Sequence, residues 1–436
     1  MRRNAISPDN YTYPFVLKAC TRLLLCNKGQ ELHTTTLKYG FEFDVFVQNC
    51  LISMYSMCGI VEYARRVFYF VSDWDRDVVT WNSMISGYVQ CDLCEQALKV
   101  FDTMPERNLV CWTSIIAGFV QSSLFKEAIE LFREMQVQGV KADEATVASV
   151  VSACGHLGAL DQGRWVHAYC EKNEIQMNLS VSNAFIDMYA KCGDIVKALE
   201  IFHELVQKDV FSWTVMISGL AMNGKSDEAL ELFTLMEISS EVRPNEITYL
   251  GVLTACSHGG LIVEGFHHFG SMTKTYNLIP HIEHYGCMVD LLGRANLLIK
   301  AKRFIRAMPI EPDVVIWRSL LFFSRTYGNV ELAEFAARMI LEFEPRKCGA
   351  HVLLSNVYAA ASRWNDVKRV RKGMDVHGIQ KQPGCSFVEV NGVVHEFFVA
   401  DTSHPHIDRI HETICGINCL LRLRGYNCDD LLFKGH

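Results

Sequence analysis

Several side chains in the 436-residue chain have types and spacings that invite metal or acid–base chemistry. Cys91 and Cys94 form a Cys-x-x-Cys, the spacing with which two thiolates hold zinc. His281-Ile282-Glu283 presents a His-x-Glu, which in zinc deaminases supplies a metal ligand and the general acid/base. Cys415 and Cys419 lie one helical turn apart, and His404-Pro405-His406 places two imidazoles close together. None of these completes a site. The His-x-Glu requires a Pro-Cys-x-x-Cys after it, and none follows Glu283. Cys91 falls where Cys58 and Cys192 recur along the chain, and Cys94 where Ile195 and Phe125 pack, so both read as ordinary structural positions. Cys415 and Cys419 read as packing residues of a helix, and the two histidines have no ligand set beside them. No Ser/His/Asp triad or phosphate-binding Gly-rich loop is evident. The expectation is a chain that is not an enzyme, with no catalytic residue, no metal and no cofactor.

The elements that carry these residues repeat. Trp81-Asn82-Ser83-Met84-Ile85-Ser86-Gly87-Tyr88 returns as Trp112-Thr113-Ser114-Ile115-Ile116-Ala117-Gly118-Phe119 and again as Trp213-Thr214-Val215-Met216-Ile217-Ser218-Gly219-Leu220. Blocks at 10–44, 45–77, 78–108, 109–143, 144–178, 179–209, 210–245, 246–281 and 282–313 follow one another. Each reads as two helices. In 179–209, Val181, Ala184, Phe185, Met188 and Tyr189 line one face at helical spacing, Gly193 breaks the pattern, and Ile195, Ala198, Leu199 and Phe202 begin a second helix. A fixed period of this size means a stacked array whose units cannot bury their apolar faces alone. The fold class expected is all-α: a right-handed superhelical solenoid of helix-turn-helix repeats, first helices on the concave side, with a small β-hairpin near the C-terminus. The hairpin signal is Val388 and Val390 before Asn391-Gly392, with Val393 and Val394 after it.

Composition narrows the class. Half of the residues are hydrophobic, which is ample for burial, and no apolar run reaches membrane-spanning length, so no membrane contact is expected. A net charge of −7 argues against a polycation that grips phosphates without selection. The 17 cysteines are spread along the chain, with Cys20, Cys154 and Cys256 at one repeat position and Cys58 and Cys192 at another, and read as small buried apolar groups. Met1–Asp9 matches a repeat end such as Met135–Asp143, so the chain is expected to begin inside a repeat, with upstream repeats and any targeting peptide preceding it.

These motifs resemble those of plant pentatricopeptide repeat proteins of the PLS subclass, whose long, short and standard repeats alternate. The resemblance rests on Val78-Val79-Thr80-Trp81-Asn82, Leu51-Ile52-Ser53-Met54-Tyr55 with Cys58-Gly59, Ser152-Ala153-Cys154-Gly155-His156-Leu157-Gly158 and His284-Tyr285-Gly286-Cys287-Met288-Val289-Asp290-Leu291-Leu292-Gly293-Arg294. Tetratricopeptide repeats share the architecture but keep to one length with a different first-helix pattern. The resemblance implies nine repeats over 10–313, a remnant at 1–9, two E motifs over 314–381 and an E+ extension over 382–436, without the DYW deaminase domain that ends many relatives.

The same resemblance implies a base-reading chemistry, for which this family is a known example. The fifth residue of a block faces the groove, and the block's last residue lies beside it. Asn offers donor and acceptor to a pyrimidine, Thr leaves room for a purine, and a terminal Asp or Asn selects within each class. Asn49 with Asp77 is expected to favour U, Asn82 with Asn108 C or U, Thr113 with Asp143 G, Asn183 with Asp209 U, and Thr214 with Asn245 A. Pro14/Asp44, Ala148/Asn178, Leu250/His281 and Gly286/Asp313 are poor readers. Phe46, Val79, Val110 and Phe211, at second positions, would sandwich the base. Helix capping is the plain alternative for the Asn and Thr residues, and inter-repeat packing for the second-position residues.

The function implied is site recognition on single-stranded organellar RNA for C-to-U editing, in mitochondrion or chloroplast, with the E and E+ motifs recruiting a DYW-type deaminase or editing accessory factors. In the family's register the site would read U-Y-G-n-U-A at positions −11 to −6 from the edited C. The alternatives are an organellar splicing, stability or translation factor and, in a different class, a protein–protein scaffold.

Overall fold

The computed structural model describes residues 8–70, 76–239, 242–345, 347–379, 384–390, 393–398 and 402–424. Most of the 1–9 remnant, the Asn391-Gly392 turn and the tail beyond 424 lie outside them. The chain forms two compact units, Met1–Cys192 and Gly193–His436. In the first unit the helices run α1 (Thr12–Arg22), α2 (Cys26–Tyr39), α3 (Val45–Met57), α4 (Val61–Phe70), α5 (Val78–Gln90), α6 (Cys94–Thr103), α7 (Leu109–Gln121), α8 (Phe125–Val137), α9 (Glu144–Leu157), α10 (Leu160–Lys172) and α11 (Leu179–Lys191). The second holds α12 (Ile195–Glu204), α13 (Val210–Met222), α14 (Ser226–Ser239), α15 (Glu246–Gly259), α16 (Ile262–Lys274), α17 (Ile282–Arg294), α18 (Leu298–Arg306), α19 (Val314–Thr326), α20 (Val330–Phe343), α21 (Cys348–Ala360), α22 (Trp364–Val376), strands β1 (Cys385–Val390) and β2 (Val393–Phe398), and α23 (Ile407–Leu423).

Within each unit the odd-numbered first helices pack one on the next, α1 to α11 and α13 to α21, and second helices pack on the first helices of their own repeats, α2 on α1 to α10 on α9 and α14 on α13 to α22 on α21. The sequence arranges this with few devices. Most first helices start at an Asp or Asn cap and, in α9 and α15, stop at a glycine in the left-handed region, Gly158 (φ 66°) and Gly260 (φ 68°), which frees the chain to turn. Gly87 and Gly118 let consecutive first helices approach closely: a Cβ on Gly87 would overlap the Ser56 hydroxyl, and one on Gly118 the Val89 side chain. Trp112, Phe101 and Phe132 are fully buried and fill the space between the layers.

A recurring aromatic–cation clamp fixes the turn from a second helix into the next first helix. Phe68 meets Trp81 edge-on at 5.1 Å while the Arg76 guanidinium lies 4.3 Å from the Phe68 ring. Phe101 and Trp112 repeat this at 4.7 Å, with Arg107 4.6 Å from Phe101. Phe202 and Trp213 do so at 5.2 Å, with the Lys208 ammonium 5.1 Å from Phe202. In each case the cation immediately precedes a block's terminal residue, so the clamp sets where Asp77, Asn108 and Asp209 stand.

Helices α19–α22 continue the hairpin pattern, with Ile316, Trp317, Leu320 and Leu321 in their core. Strands β1 and β2 pair antiparallel, Val390 opposite Val393, in the register expected from the valine pattern. Two expectations need correction. Cys415 and Cys419 lie on α23 as expected, but both are exposed and so are not packing residues. Cys58 and Cys192 are only half-buried, because they cap the ends of α3 and α11 rather than sitting mid-helix; Cys20, Cys154 and Cys256 are buried. Among the described residues no helix is long and apolar enough to cross a membrane.

Candidate functional site

The terminal residue of a block is the N-cap of the next first helix. Asp44, Asp77, Asn108, Asp143, Asn178, Asp209, Asn245 and Asp313 each accept a hydrogen bond from the backbone N–H three residues on. The capping alternative is therefore correct for the terminal residues. It does not extend to the fifth-position residues, which sit inside the helix beyond the cap. A cap uses one side-chain atom and leaves the other. Among the described residues, Asp77 and Asp143 keep Oδ2, and Asn108 and Asn245 keep Nδ2, without a hydrogen bond.

Within a unit, the chain brings fifth and terminal residues of one block together because the terminal residue begins the next first helix, which packs on its predecessor. The Asn49 amide donates to Asp77 at 3.5 Å. The Thr113 hydroxyl lies 3.4 Å from Asp143 Oδ1 and 2.7 Å from the Thr146 hydroxyl. The Thr214 and Thr248 hydroxyls meet at 2.7 Å, and Thr248 donates to Asn245. Asn82 reaches the Cys111 thiol, which also contacts Asn108 Oδ1 at 2.9 Å. Burial pushes that thiol above its ordinary pKa, and the hydrogen bonds around it oppose the shift. Asn183 is buried on α11, and Asp209 caps α13. Among the described residues, Asn49 Oδ1 and Asn82 Oδ1 are buried acceptors without an intramolecular partner.

The second-position residues lie on the surface. Phe46 is 73% exposed, and Val79, Val110 and Phe211 are each 56% exposed. Side chains that fill the space between repeats are buried, as Trp112 is, whereas these four stand exposed. The positions expected to read poorly differ in structure. Asp44 has its second oxygen occupied by the Asn10 amide at 3.3 Å. At Gly286 nothing lies within 4 Å of where a Cβ would be, so the position is an open gap. His281 directs its N–H to His284, whose other ring nitrogen lies 2.8 Å from the Glu246 carbonyl.

Among the described residues the thiol and imidazole groups form no cluster that could hold a metal ion. Cys91 contacts the Ser56 carbonyl at 3.6 Å and Cys94 the Ser122 hydroxyl at 3.1 Å, so the Cys-x-x-Cys is split between the preceding and following repeats. His404 lies 3.0 Å from His395 of β2, one imidazole bonded to another. Cys170 and Cys256 are buried thiols whose pKa burial pushes up to about 11 and about 12, far from the reactive thiolate range.

Comparison with known proteins agrees with this architecture. The PPR repeat family matches residues 107–156 and 208–258, the PPR repeat 79–109 and 180–210, and the E motif 327–389. The pentatricopeptide repeat-containing protein At3g62890 of Arabidopsis thaliana is 49% identical, over 98% of this chain and 76% of its own length. The putative pentatricopeptide repeat-containing protein At5g40405 of the same plant is 45% identical, over 98% of this chain and 69% of its own. Among solved structures, the pentatricopeptide repeat protein PPR10 in complex with an 18-nt psaJ RNA element superposes with a TM-score of 0.52 at 16% identity, over 87% of this chain and 66% of that one, a likeness of fold. With its alternating repeat lengths, capped first helices and trailing E motif, the chain belongs to the plant pentatricopeptide repeat family, in its PLS branch.

Proposed function

We propose that this chain is a sequence-specific single-stranded RNA-binding protein that marks sites for organellar C-to-U editing and recruits a deaminase in trans through its E and E+ segments. The observation that carries the reading is the repeated pairing of a fifth-position Asn or Thr with a terminal Asp or Asn that caps with one atom and leaves the other unbonded. Edge recognition of a base needs this: one polar atom held, one presented. An Asp presents an acceptor, matching the ring N–H of U or G. An Asn presents a donor, matching the ring nitrogen acceptor of C or A. The exposed apolar side chains at second positions supply faces for stacking or van der Waals contact with bases. The fold neighbour PPR10 is itself described in complex with RNA. Relatives named as mitochondrial and as chloroplastic, 41% and 45% identical, support an organellar setting. The E motif over 327–389 supports the editing role.

The test is binding of the purified chain to single-stranded RNA carrying U-Y-G-n-U-A, beside the same RNA with G and A exchanged. The expected preference for the first is about tenfold or more, from one to three kcal/mol of discrimination per well-read base. The double variant Asp143→Asn with Asn245→Asp should reverse it. Equal affinity for both RNAs would remove base reading, and no RNA affinity would favour the scaffold.

A further inference from the structure

The structure assigns a third residue to each reading pair: we infer that the third residue of the following repeat is a positioning residue that fixes which atom of the terminal Asp or Asn faces the base. The inference rests on the RNA-reading proposal and deepens it. At all five expected readers this residue carries a hydroxyl or thiol that bonds the terminal side chain. Thr80 reaches Asp77 Oδ1 at 2.7 Å, Cys111 reaches Asn108 Oδ1 at 2.9 Å, and Thr146 reaches Asp143 Oδ1 at 2.6 Å. Ser212 reaches Asp209 Oδ1 at 2.8 Å, and Thr248 reaches Asn245 Oδ1 at 2.9 Å. At the poor readers the position holds Val47, Val181, His284 and Ile316, none of which has a hydroxyl or thiol to give. Backbone N–H capping is common to both groups, since Asp44, Asn178 and Asp313 accept it from Val47, Val181 and Ile316. The side-chain bond is what separates them, so capping alone does not explain it.

The proton count shows what the bond does. The Asp143 carboxylate can only accept, so the Thr146 hydroxyl must donate to it. Thr146 Oγ1 is then an acceptor toward Thr113, 2.7 Å away, and Thr113 gives its proton there. The Thr113 proton is shared with the Leu109 carbonyl at 3.0 Å, so in either case it is held inside the helix pair and Thr113 has only its lone pairs left to offer, while Asp143 presents Oδ2. Both now accept, which suits the N–H groups on the edge of guanine. In the adenine reader, Thr248 donates to Asn245 Oδ1, and its own oxygen faces the Asn245 N–H at 3.3 Å and the Thr214 hydroxyl at 2.7 Å. An Asn held by two donors on Oδ1 cannot turn its amide over, so Nδ2 stays presented as a donor. Thr80, Cys111, Thr146, Ser212 and Thr248 are buried, so none is expected to touch the RNA itself.

The test uses the full chain and its RNA with A, C or U replacing the G aligned to Thr113 and Asp143. Thr146→Val keeps shape and backbone cap but deletes the hydroxyl. It should lower discrimination at that nucleotide about threefold to tenfold, the usual weight of one hydrogen bond. Discrimination at the A read by Thr214 and Asn245 should be unchanged. Thr146→Ser should restore it. Cys111→Thr, which replaces a weak donor with a strong one, should sharpen the C-or-U choice at Asn108. An affinity loss equal on all RNAs, with a lower Tm, would make Thr146 a merely structural cap and overturn the inference. So would undiminished discrimination in Thr146→Val. A wild-type chain indifferent to every base change would instead overturn the RNA-reading proposal, and this inference with it.

Discussion

Phe46 shows how a single side chain can separate binding from stability. It stands 73% exposed at the start of α3, a poor use of a large apolar group unless something covers it. Phe46→Ala should change folding stability by no more than about 0.5 kcal/mol, as exposed substitutions do. RNA affinity should fall by about 1 to 3 kcal/mol, the range for removing an aromatic base-stacking platform. Thermal melts and RNA titrations of the same variant check both; a lower Tm with unchanged affinity would return Phe46 to a packing role. The exposure could not be read from sequence, because Phe46 and the buried Val47 are neighbours of like character on one helix. The proposed reading pairs were legible, since polar residues recurring at fixed places among apolar ones stand out. The third-position hydroxyls were not, because Thr, Ser and Cys at a buried site look like tolerated small residues until their hydrogen bonds are seen.

At the scale of helices, the close approach of α5 and α7 depends on what is missing. Gly118 has no Cβ, and its place is taken by Val89. Gly118→Ala should overpack this contact and destabilise by about 1 to 3 kcal/mol. Adding Val89→Ala should recover part of that loss, because the two changes share one space. Denaturant melts of both single variants and the double complete the cycle; additive losses would show that the helices do not meet there. The helices themselves were plain from the 3.6-residue periodicity and the breaks between blocks. The clamp of Arg76, Arg107 and Lys208 over aromatic rings was not, since its members come from a second helix, a turn and the next first helix. Cys415 and Cys419 mark the opposite failure. Their spacing told that they share a helix face, and only the fold told that the face is exposed.

Across the whole molecule, the histidines give a pH signature. Burial is the leading cause holding His33, His156 and His268 below the ordinary imidazole value of 6.5. Above that value these groups are neutral whether the chain is folded or not, and they contribute nothing. Below it the unfolded chain takes up protons that the folded chain resists, so stability falls as pH drops from 6.5. Tm should therefore be lower at pH 5.5 than at pH 7.5, and His268→Gln should narrow the difference; an equal drop in that variant would remove His268 as a source. The sequence by itself determined the repeat period, the helical class and the family, and it suggested the places of the proposed reading pairs, because all of these are written in residue type and spacing along the chain. Tertiary structure alone decided that terminal Asp and Asn residues cap the next repeat's first helix, that the second-position side chains stand exposed, and that Thr80, Cys111, Thr146, Ser212 and Thr248 bond the terminal side chains before them. These depend on contacts between successive repeats, and a linear spacing fixes which residues recur without fixing which of their atoms meet.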